Sequence, residues 1–311
     1  MTGGPARKVV VAVPTFRRSP ELAALLPAIE TIIRDDAVDA SVLVVDNDPD
    51  RSAAPIADAA GVGYAHVPTP GIAAARQAAM EHCAEADLLV MIDDDVVPEK
   101  RWLRSLVETH EATAAAAVVG YVRYIWPADA DPWIRAGGFM RRNHLETGVP
   151  LREFAMGNVL LDVALVRRRG VRFDSGLGLS GGEDTAFSRS LVRAGARAVA
   201  CAESIVVDHI PSSRTTRRFV RTRTISHGRT RSALAVTVAR PWLRPGIRAA
   251  ALTGGLLRAV GFSCVATAGA TLGRRDLSAR MTRRAWFGWG RAMGAVGGYG
   301  EEYGRATGGR S

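Results

Sequence analysis

Short runs of apolar, β-branched residues alternate with amphipathic helical patterns along the first half of the chain. The periodicity of the intervening segments predicts helices that begin after Ser19 and near Ile72, with a shorter helix between them. Strands are predicted at 9–13, 41–45, 63–67 and 88–92, and further ones near 117–125, 159–162 and 205–207. This β-α-β-α order is typical of a mostly parallel sheet with helices in the crossovers.

Strand patterns stop beyond about Arg214, and the remaining patterns are helical. The most apolar part is the 24-residue segment 249–272, which is long enough to span a bilayer. Because it contains Arg258 and several glycines, we expect a membrane-surface helix or hairpin, and a helical layer on the sheet is an equal alternative.

The segment 274–293 places arginines beside two tryptophans and Phe287, a composition typical of an interfacial amphipathic helix. We therefore divide the chain into an α/β catalytic domain at 1–212 and a basic, arginine-rich helical region at 213–311. The expected roles of the second region are contact with a membrane surface or with another subunit of a homo-oligomer.

Charge is distributed unevenly along the 311 residues, whose formal net charge is +10. From Pro211 onward there are 19 arginines and three acidic residues, which leaves 22 basic and 28 acidic residues before it. A basic region of this kind indicates an anionic partner, such as lipid head groups, nucleic acid or a phosphorylated substrate. Because all of these basic residues are arginine, a GC-rich coding bias accounts for part of the signal.

Composition narrows the class of protein. A hydrophobic fraction of 47% is sufficient for a sizeable core and argues against disorder. Cys83, Cys201 and Cys264 lie far apart in apolar contexts, which gives neither a zinc spacing nor a disulfide framework and fits a reducing cytosol. The first apolar run lacks a cleavage site and is expected to be a strand and not a signal peptide. We expect a cytoplasmic protein, or one held peripherally on the inner face of the cell membrane.

The strand predicted at 88–92 runs directly into three carboxylates, Asp93, Asp94 and Asp95. Adjacent like charges repel one another, so the cluster needs either bulk water or a cation. Ligands of open α/β sheets bind outside the carboxyl ends of strands, and Mg²⁺ and Mn²⁺ prefer oxygen ligands. The cluster therefore predicts a metal–diphosphate site, and the alternative is a solvated turn that closes at Pro98 before a helix from about Glu99.

Polar residues also follow two other strands. The sequence VPTFRR (13–18) follows the first strand and VVDNDPD (44–50) the second, and the ends of neighbouring parallel strands converge in space. Asp46 is then placed to accept a hydrogen bond from a nucleobase N–H, with the backbone at Pro14 and Thr15 beside the base. Ordinary strand-to-loop turns are the alternative for each segment alone.

A third candidate is the helix that begins after Gly71. Its first N–H groups and its dipole suit a phosphate or a carboxylate, and Arg76 follows one turn later. A structural ion pair is the alternative role for Arg76.

Glu183 and Asp184 follow the glycine-rich sequence 176–182 and precede an amphipathic helix. Acids at a helix start are favoured by capping and the helix dipole, which is the structural alternative. A general base facing a cleft is also often presented by a mobile loop, and Asp184 is the candidate base. His209 follows the last strand; a lone histidine is usually structural, but imidazole can also complete the coordination of Mn²⁺.

These motifs, taken together and in order, resemble family 2 glycosyltransferases over roughly residues 8–232. The matching sequences are VAVPTFRR, LVVDNDPD, PGIAAARQ, MIDDDVVP, the Gly157-Asn158 pair, GGEDTAF and DHIP. The resemblance implies the GT-A fold, a nucleotide-sugar-binding, Rossmann-like mixed sheet, here with a C-terminal helical extension. It also implies transfer with inversion at the anomeric carbon.

The resemblance implies a role for each matching residue. Asp95 is the expected metal ligand, with Asp93 and His209 as further ligands, and Asp184 is the expected catalytic base with Glu183 beside it. The residues expected to bind the nucleotide sugar are Pro14, Thr15, Arg17, Asp46, Arg76, Asp93, Asp94, Gly157 and Asn158. The implied cofactor is Mg²⁺ or Mn²⁺, and the implied partners are a UDP-, dTDP- or GDP-sugar donor and a hydroxyl acceptor, with no nucleic acid.

Two departures from the family pattern refine this expectation. The sequence Asp46-Asn47-Asp48-Pro49 stands where many members have Asp-Asp-Gly-Ser, which leaves the nucleobase of the donor open. The Gln-x-x-Arg-Trp motif of processive synthases is absent, which favours transfer of one sugar over polymerisation. The alternatives are a non-catalytic membrane-surface or polyanion-binding protein and a sugar nucleotidyltransferase, although the latter requires a glycine-rich basic loop after the first strand.

Overall fold

Eight strands form one mixed sheet in the computed structural model, which describes residues 7–140, 142–174 and 181–297. The strand order across the sheet is β3-β2-β1-β4-β7-β6-β8-β5. Strands β1 to β4 run parallel, β7 is antiparallel to β4 and β6, and β5 is antiparallel to β8. The strands are β1 (Val9–Thr15), β2 (Ala40–Asp46), β3 (Gly63–His66), β4 (Leu88–Ile92), β5 (Val96–Pro98), β6 (Ala117–Ile125), β7 (Asn158–Asp162) and β8 (Ala198–His209).

Helices cover both faces of this sheet because the central strands are apolar on both sides. Along β1, Val9, Val11 and Val13 pack with helices α1, α2 and α4, whereas Val10 and Ala12 pack with α3, α6 and α7 on the other face. These helices are α1 (Ser19–Asp36), α2 (Ala54–Ala60), α3 (Ile72–His82), α4 (Trp102–Thr113), α6 (Val163–Arg168) and α7 (Glu183–Arg193).

The predicted strands and helices of the first half are confirmed, with one omission. A short strand, Val96–Pro98, follows the three aspartates and pairs with residues 206–208 of β8, where the sequence predicted only a turn. Helix α4 therefore begins at Trp102 and not near Glu99. A three-residue strand has too few positions for a periodic pattern, and its partner lies more than 100 residues away.

The contacts divide the chain into two compact units. The sheet and its helices belong to the first unit, while residues 126–141, 179–182 and 210–311 belong to the second. The described part of the second unit is helical: α5 (Pro132–Gly137), α8 (Arg217–Thr237), α9 (Arg244–Thr271) and α10 (Arg275–Val296). The last part of the predicted 213–311 region, from 298, lies outside the described residues.

Helices α8 and α9 pack closely against α10 through glycines. A Cβ on Gly288 would come within 2.9 Å of both the Gly255 carbonyl and the Ala259 amide, and a Cβ on Gly290 would overlap the Ile225 carbonyl. Small residues at these contacts allow the backbones to approach one another, which fixes the three-helix packing.

The outer face of α9 is apolar but exposed. Leu257 and Val260 are 75% and 65% exposed. Within the described residues, the helical segment Pro241–Thr271 is the one long and apolar enough to cross a membrane. Its most apolar stretch of 18 residues has a mean hydropathy of 1.5, and 17% of that stretch is buried. Length and composition alone are weak support for a span.

Candidate active site

The three aspartates after β4 pair with two arginines at the carboxyl edge of the sheet. Asp94 is buried, accepts a hydrogen bond from the Thr15 hydroxyl at 2.7 Å and pairs with Arg18 at 2.9 Å. The same Arg18 guanidinium nitrogen lies 2.6 Å from Asp95. Burial raises the pKa of Asp94 to about 6, although Arg18 and Thr15 favour its ionised form. Arg18 therefore offsets part of the repulsion within the cluster.

Arg76 connects the aspartate cluster to the second acidic motif. Its buried guanidinium lies 3.3 Å from Asp93 and 2.7 Å from Glu183, and it also pairs closely with Asp184. Glu183 is 107 residues from Arg76 in the sequence. Arg76 thus forms ion pairs that bring both predicted acidic motifs into one site, and its nucleotide-sugar-binding role stays a prediction.

Asp184 occupies the first turn of α7 and faces this site. Its second oxygen accepts a hydrogen bond from the Met156 backbone N–H at 3.2 Å. Two donors on different elements, Arg76 and Met156, therefore fix the orientation of the carboxylate. The predicted mobile sequence at 176–180 lies outside the described residues.

Glu183 is buried, and its Oε2 has no hydrogen-bond partner among the described atoms. Burial and the neighbouring charge of Asp184 raise its pKa from 4.5 to about 7, while Arg76 opposes this shift. A buried acidic oxygen without a donor favours the neutral carboxyl. Glu183 therefore holds a proton more readily than an ordinary glutamate.

Replacing Glu183 with glutamine should change how stability depends on pH. Because the folded-state pKa is raised, the contribution of this group is fully present below pH 4.5 and is lost as pH rises through about 7. Glutamine cannot ionise, so E183Q should gain on the wild type by up to about 3 kcal/mol between pH 5 and pH 8. Urea unfolding at both pH values measures this difference. Glu108→Gln, at an exposed position, is the control, and equal pH dependence for E183Q and wild type would contradict the assignment.

Asp46 is fully buried at the end of β2. Its carboxylate accepts hydrogen bonds from the Asp48 and Ala53 backbone N–H groups, each at 2.9 Å, and from the Tyr64 hydroxyl at 3.0 Å. Burial and this bond to Asp46 raise the pKa of Tyr64 to about 12, so the hydroxyl remains a donor. In this structure Asp46 shapes the loop after β2, and its base-binding role stays a prediction.

Arg17 forms ion pairs with the loop after β2, and its predicted nucleotide-sugar-binding role stays a prediction. It adopts a left-handed backbone conformation, with φ of 54°, and its side chain pairs with Asp48 at 3.0 Å and Asp50 at 2.7 Å. Its neighbour Arg18 pairs instead with Asp94 and Asp95, in the cluster after β4. Pro14 and Thr15 are the last residues of β1, paired with Val45 and Asp46.

Asn158 is buried and forms hydrogen bonds within the fold, and its predicted nucleotide-sugar-binding role stays a prediction. Its amide oxygen accepts from the Trp102 indole at 2.8 Å, and its nitrogen donates to the Tyr121 and Ser204 carbonyls at 3.2 Å. Gly157 has a clearer relation to the site, because a Cβ there would overlap the Asp93 carboxylate. Glycine is therefore required for Asp93 to occupy this position.

The residues around Asp95 fit a divalent cation held partly by a substrate. Within residues 7–140, 142–174 and 181–297, no three His, Cys, Asp or Glu side chains converge as a ligand set. The β5–β8 ladder pairs Val96 with Asp208, so exposed His209 lies one residue beyond that pair, on the Asp95 side. One or two protein ligands plus phosphate oxygens are a common set for Mg²⁺.

Sequence reasoning missed three contributors: Arg18, Tyr64 and the Met156 backbone. Arg18 was visible in VPTFRR as a second arginine, but the sequence carries no sign of which arginine faces the aspartates. Tyr64 and Met156 lie in unremarkable contexts, and their roles arise only from tertiary packing.

Comparisons with known proteins show the family of the chain. A family model described as "Glycosyl transferase family 2" matches residues 10–170, just over half of the chain. The chain is also 31% identical over 230 residues to "Succinoglycan biosynthesis protein ExoM" of Rhizobium meliloti (strain 1021), covering 72% of this chain and 74% of that relative.

Solved structures share the fold. The mannosyltransferase PcManGT from Pyrobaculum calidifontis, in complex with GDP-Man and Mn²⁺, is 18% identical with a TM-score of 0.58, covering 91% of this chain and 86% of that one. TarS 1-349 of S. aureus, in complex with UDP-GlcNAc, is 12% identical with a TM-score of 0.51, covering 88% and 90%. The predicted GT-A fold, with its mixed sheet, is thereby confirmed.

Proposed function

Because the chain belongs to glycosyl transferase family 2 and is a nucleotide-sugar-dependent glycosyltransferase, we propose that it moves one sugar to an acceptor hydroxyl with inversion, assisted by a divalent metal. One observation carries the proposal: the buried Arg76 guanidinium contacts Asp93, Glu183 and Asp184, so the aspartate cluster and the candidate base share one site. Family membership contradicts the non-catalytic alternative.

Asp184 is the proposed general base. Its carboxylate, oriented by Arg76 and the Met156 N–H, takes the proton of the acceptor hydroxyl while that oxygen attacks the anomeric carbon. Attack occurs on the face opposite the nucleotide diphosphate, so the bond to the diphosphate oxygen breaks as the new glycosidic bond forms. Inversion requires no covalent intermediate with the protein, which fits a single base.

Asp95 is the proposed metal ligand, with His209 as a second ligand and Asp93 as an alternative. A bound Mg²⁺ or Mn²⁺ would neutralise charge on the departing diphosphate. Arg18 holds Asp95 at the edge of the sheet, at 2.6 Å, and Asp94 is buried beside it with Thr15. Asp94 therefore supports the cluster, whereas a quarter of the Asp95 side-chain surface is exposed to solvent.

Replacing Asp95 with alanine should abolish the metal-dependent part of nucleotide binding, because it removes the proposed principal ligand of a cation that takes only one or two ligands from the protein. Isothermal titration with UDP, dTDP and GDP, each with and without Mn²⁺, measures the metal-dependent affinity. It also identifies which nucleobase the donor site prefers. Asp58→Ala, which removes an exposed carboxylate from α2, is the matched control and should bind as the wild type does. Unchanged Mn²⁺-dependent affinity in D95A would sink the metal assignment.

We also propose that the second unit rests on an anionic membrane surface. The exposed leucines and valines of α9 form an apolar face, and the unit contains many arginines. Apolar insertion combined with attraction to anionic lipids is the usual basis of interfacial binding. The proposed location of the enzyme is therefore peripheral, on the inner face of the cell membrane.

The purified chain should therefore float with phosphatidylglycerol vesicles at low salt and lose much of that binding at high salt, since each basic residue near the surface contributes about 1 kcal/mol that salt screens. L257S/V260S should weaken the association, whereas Val238→Ser, at an exposed apolar position outside α9, should not. Absence of flotation at every salt concentration would leave α9 as a structural element only.

A further inference from the structure

A cavity of about 670 Å³ lies within the second unit, and its lining residues include none of the active-site carboxylates. Three arginines at the start of α8, Arg217, Arg218 and Arg221, line it together with Trp133 and Trp286. We call this the arginine–tryptophan cavity. It combines positive charge with aromatic surface, and the proposed transfer chemistry does not use either.

The three arginines have little compensating charge. Arg217 pairs with Asp131 at 2.9 Å and lies over the Trp133 ring at 4.8 Å. Across the part of the chain that the structure describes, Arg218 and Arg221 have neither a carboxylate partner nor a hydrogen bond from their side chains. Both are exposed to solvent at the cavity.

Their position on the helix adds to this imbalance. Arg217 and Arg218 are the first two residues of α8, Arg221 follows one turn later, and the first turn contains no acidic residue. Helix N-termini carry partial positive charge and favour anions, so arginines there are unfavourably placed. A bound anion would relieve the repulsion, and guanidinium groups bind phosphate through two parallel hydrogen bonds.

The aromatic wall indicates what the anion is attached to. The ring centroids of Trp133 and Trp286 are 6.0 Å apart, and Phe139 lies 5.7 Å from Trp286. Such a surface suits an apolar or ring-shaped group adjoining the charge. A small inorganic anion alone would leave this surface unused.

We infer that the arginine–tryptophan cavity binds the phosphate or diphosphate group of an amphiphilic phosphate ester. The donor diphosphate is assigned to the aspartate edge of the first unit, so an anion in this cavity is a second one. The same unit exposes the apolar face of α9, which suits a ligand delivered from a lipid surface.

The test is a titration of the full-length chain with four probes: farnesyl diphosphate, inorganic pyrophosphate, farnesol and UDP without metal. Tryptophan fluorescence and calorimetry report binding. Farnesyl diphosphate should bind at least tenfold more tightly than pyrophosphate or farnesol, because it alone supplies both the charge and the apolar chain. R218Q and R221Q should each weaken it about tenfold or more, and Trp286→Leu should weaken it while leaving pyrophosphate unchanged.

Arg284→Gln is the matched control. It removes the same charge from α10, where the guanidinium lies over Phe262 and outside the cavity, and it should bind farnesyl diphosphate as the wild type does. Equal loss in R284Q, R218Q and R221Q would show non-specific attraction and overturn the inference. Pyrophosphate binding as tightly as farnesyl diphosphate would identify a free phosphate site, and UDP as the preferred probe would identify a nucleotide site; either outcome also overturns it.

Failure here can be told apart from failure of the proposed function. Metal-dependent nucleotide binding by the same wild-type preparation reports on the aspartate edge alone. If that binding is present and farnesyl diphosphate does not bind, the cavity assignment is wrong and the transferase proposal stands. If farnesyl diphosphate binds and no nucleotide does, the reverse conclusion holds.

Discussion

Replacing Asp184 with asparagine should lower the rate of sugar transfer by about 10²–10⁴-fold, the usual contribution of a general base. The side chain keeps its shape and can still accept the Met156 N–H, so the fold and the binding of donor and metal should persist. A helix-start acid with only a structural role would contribute about 1 kcal/mol of stability and nothing to the chemical step. The measurement is the transfer rate at saturating donor, together with the unfolding midpoint.

Asp162→Asn is the control for this variant. Asp162 caps α6 by accepting the Leu165 N–H at 2.8 Å, a structural role that asparagine can also fill. Its transfer rate should equal that of the wild type. Near-normal transfer by folded D184N would contradict the assigned role and shift attention to Glu183.

Replacing Arg76 with methionine should destabilise the protein by about 3–5 kcal/mol, the range found when one member of a buried ion pair is removed. Stability is lost because the three carboxylates that the guanidinium contacts would remain without their cationic partner, and Glu183 is the most buried of them. Without Arg76, Glu183 would also titrate at a still higher pH. Urea unfolding followed by tryptophan fluorescence measures the effect.

The double variant R76M/E183Q separates the charge effect from a packing effect. If unpaired charge causes the loss, removing the Glu183 charge should restore part of the stability at pH 8. Arg101→Gln, in an exposed pair with Glu108, should cost less than about 1 kcal/mol. A loss for R76M no larger than that of R101Q would refute the view of Arg76 as the centre of the site.

The sheet could be predicted from the sequence because its central strands are buried on both faces. The strand at 88–92 consists of five consecutive apolar residues, and it ends at Ile92, directly before the first aspartate. Strand β8 extends well beyond the predicted 205–207 because it pairs with β6. The sequence did not predict this extension, since Cys201 and Ala202 lie in a region of mixed composition. Tertiary pairing, not local periodicity, sets those bounds.

The site could be predicted in its residue types more than in its contacts. Placing acidic residues at strand ends correctly located the Asp93–Asp95 cluster at the sheet edge, since that follows from topology. The contact of Arg76 with Asp184 depends on how α3 and α7 pack, which no local pattern encodes. Arg17 and Arg18 are adjacent, yet only Arg18 pairs with the cluster after β4, while Arg17, with its left-handed backbone, pairs with the loop after β2.

Proton NMR of the wild-type enzyme with UDP-, dTDP- and GDP-sugars and Mg²⁺ tests the central claim most directly, with water serving as acceptor when none other is known. The anomeric proton of one donor should disappear, free nucleoside diphosphate should accumulate, and the sugar first released should have the opposite anomeric configuration, all at least about 10²-fold more slowly in D184N. First-released sugar with the donor's own configuration, or no turnover of any donor by folded enzyme that binds nucleotide, would contradict the account.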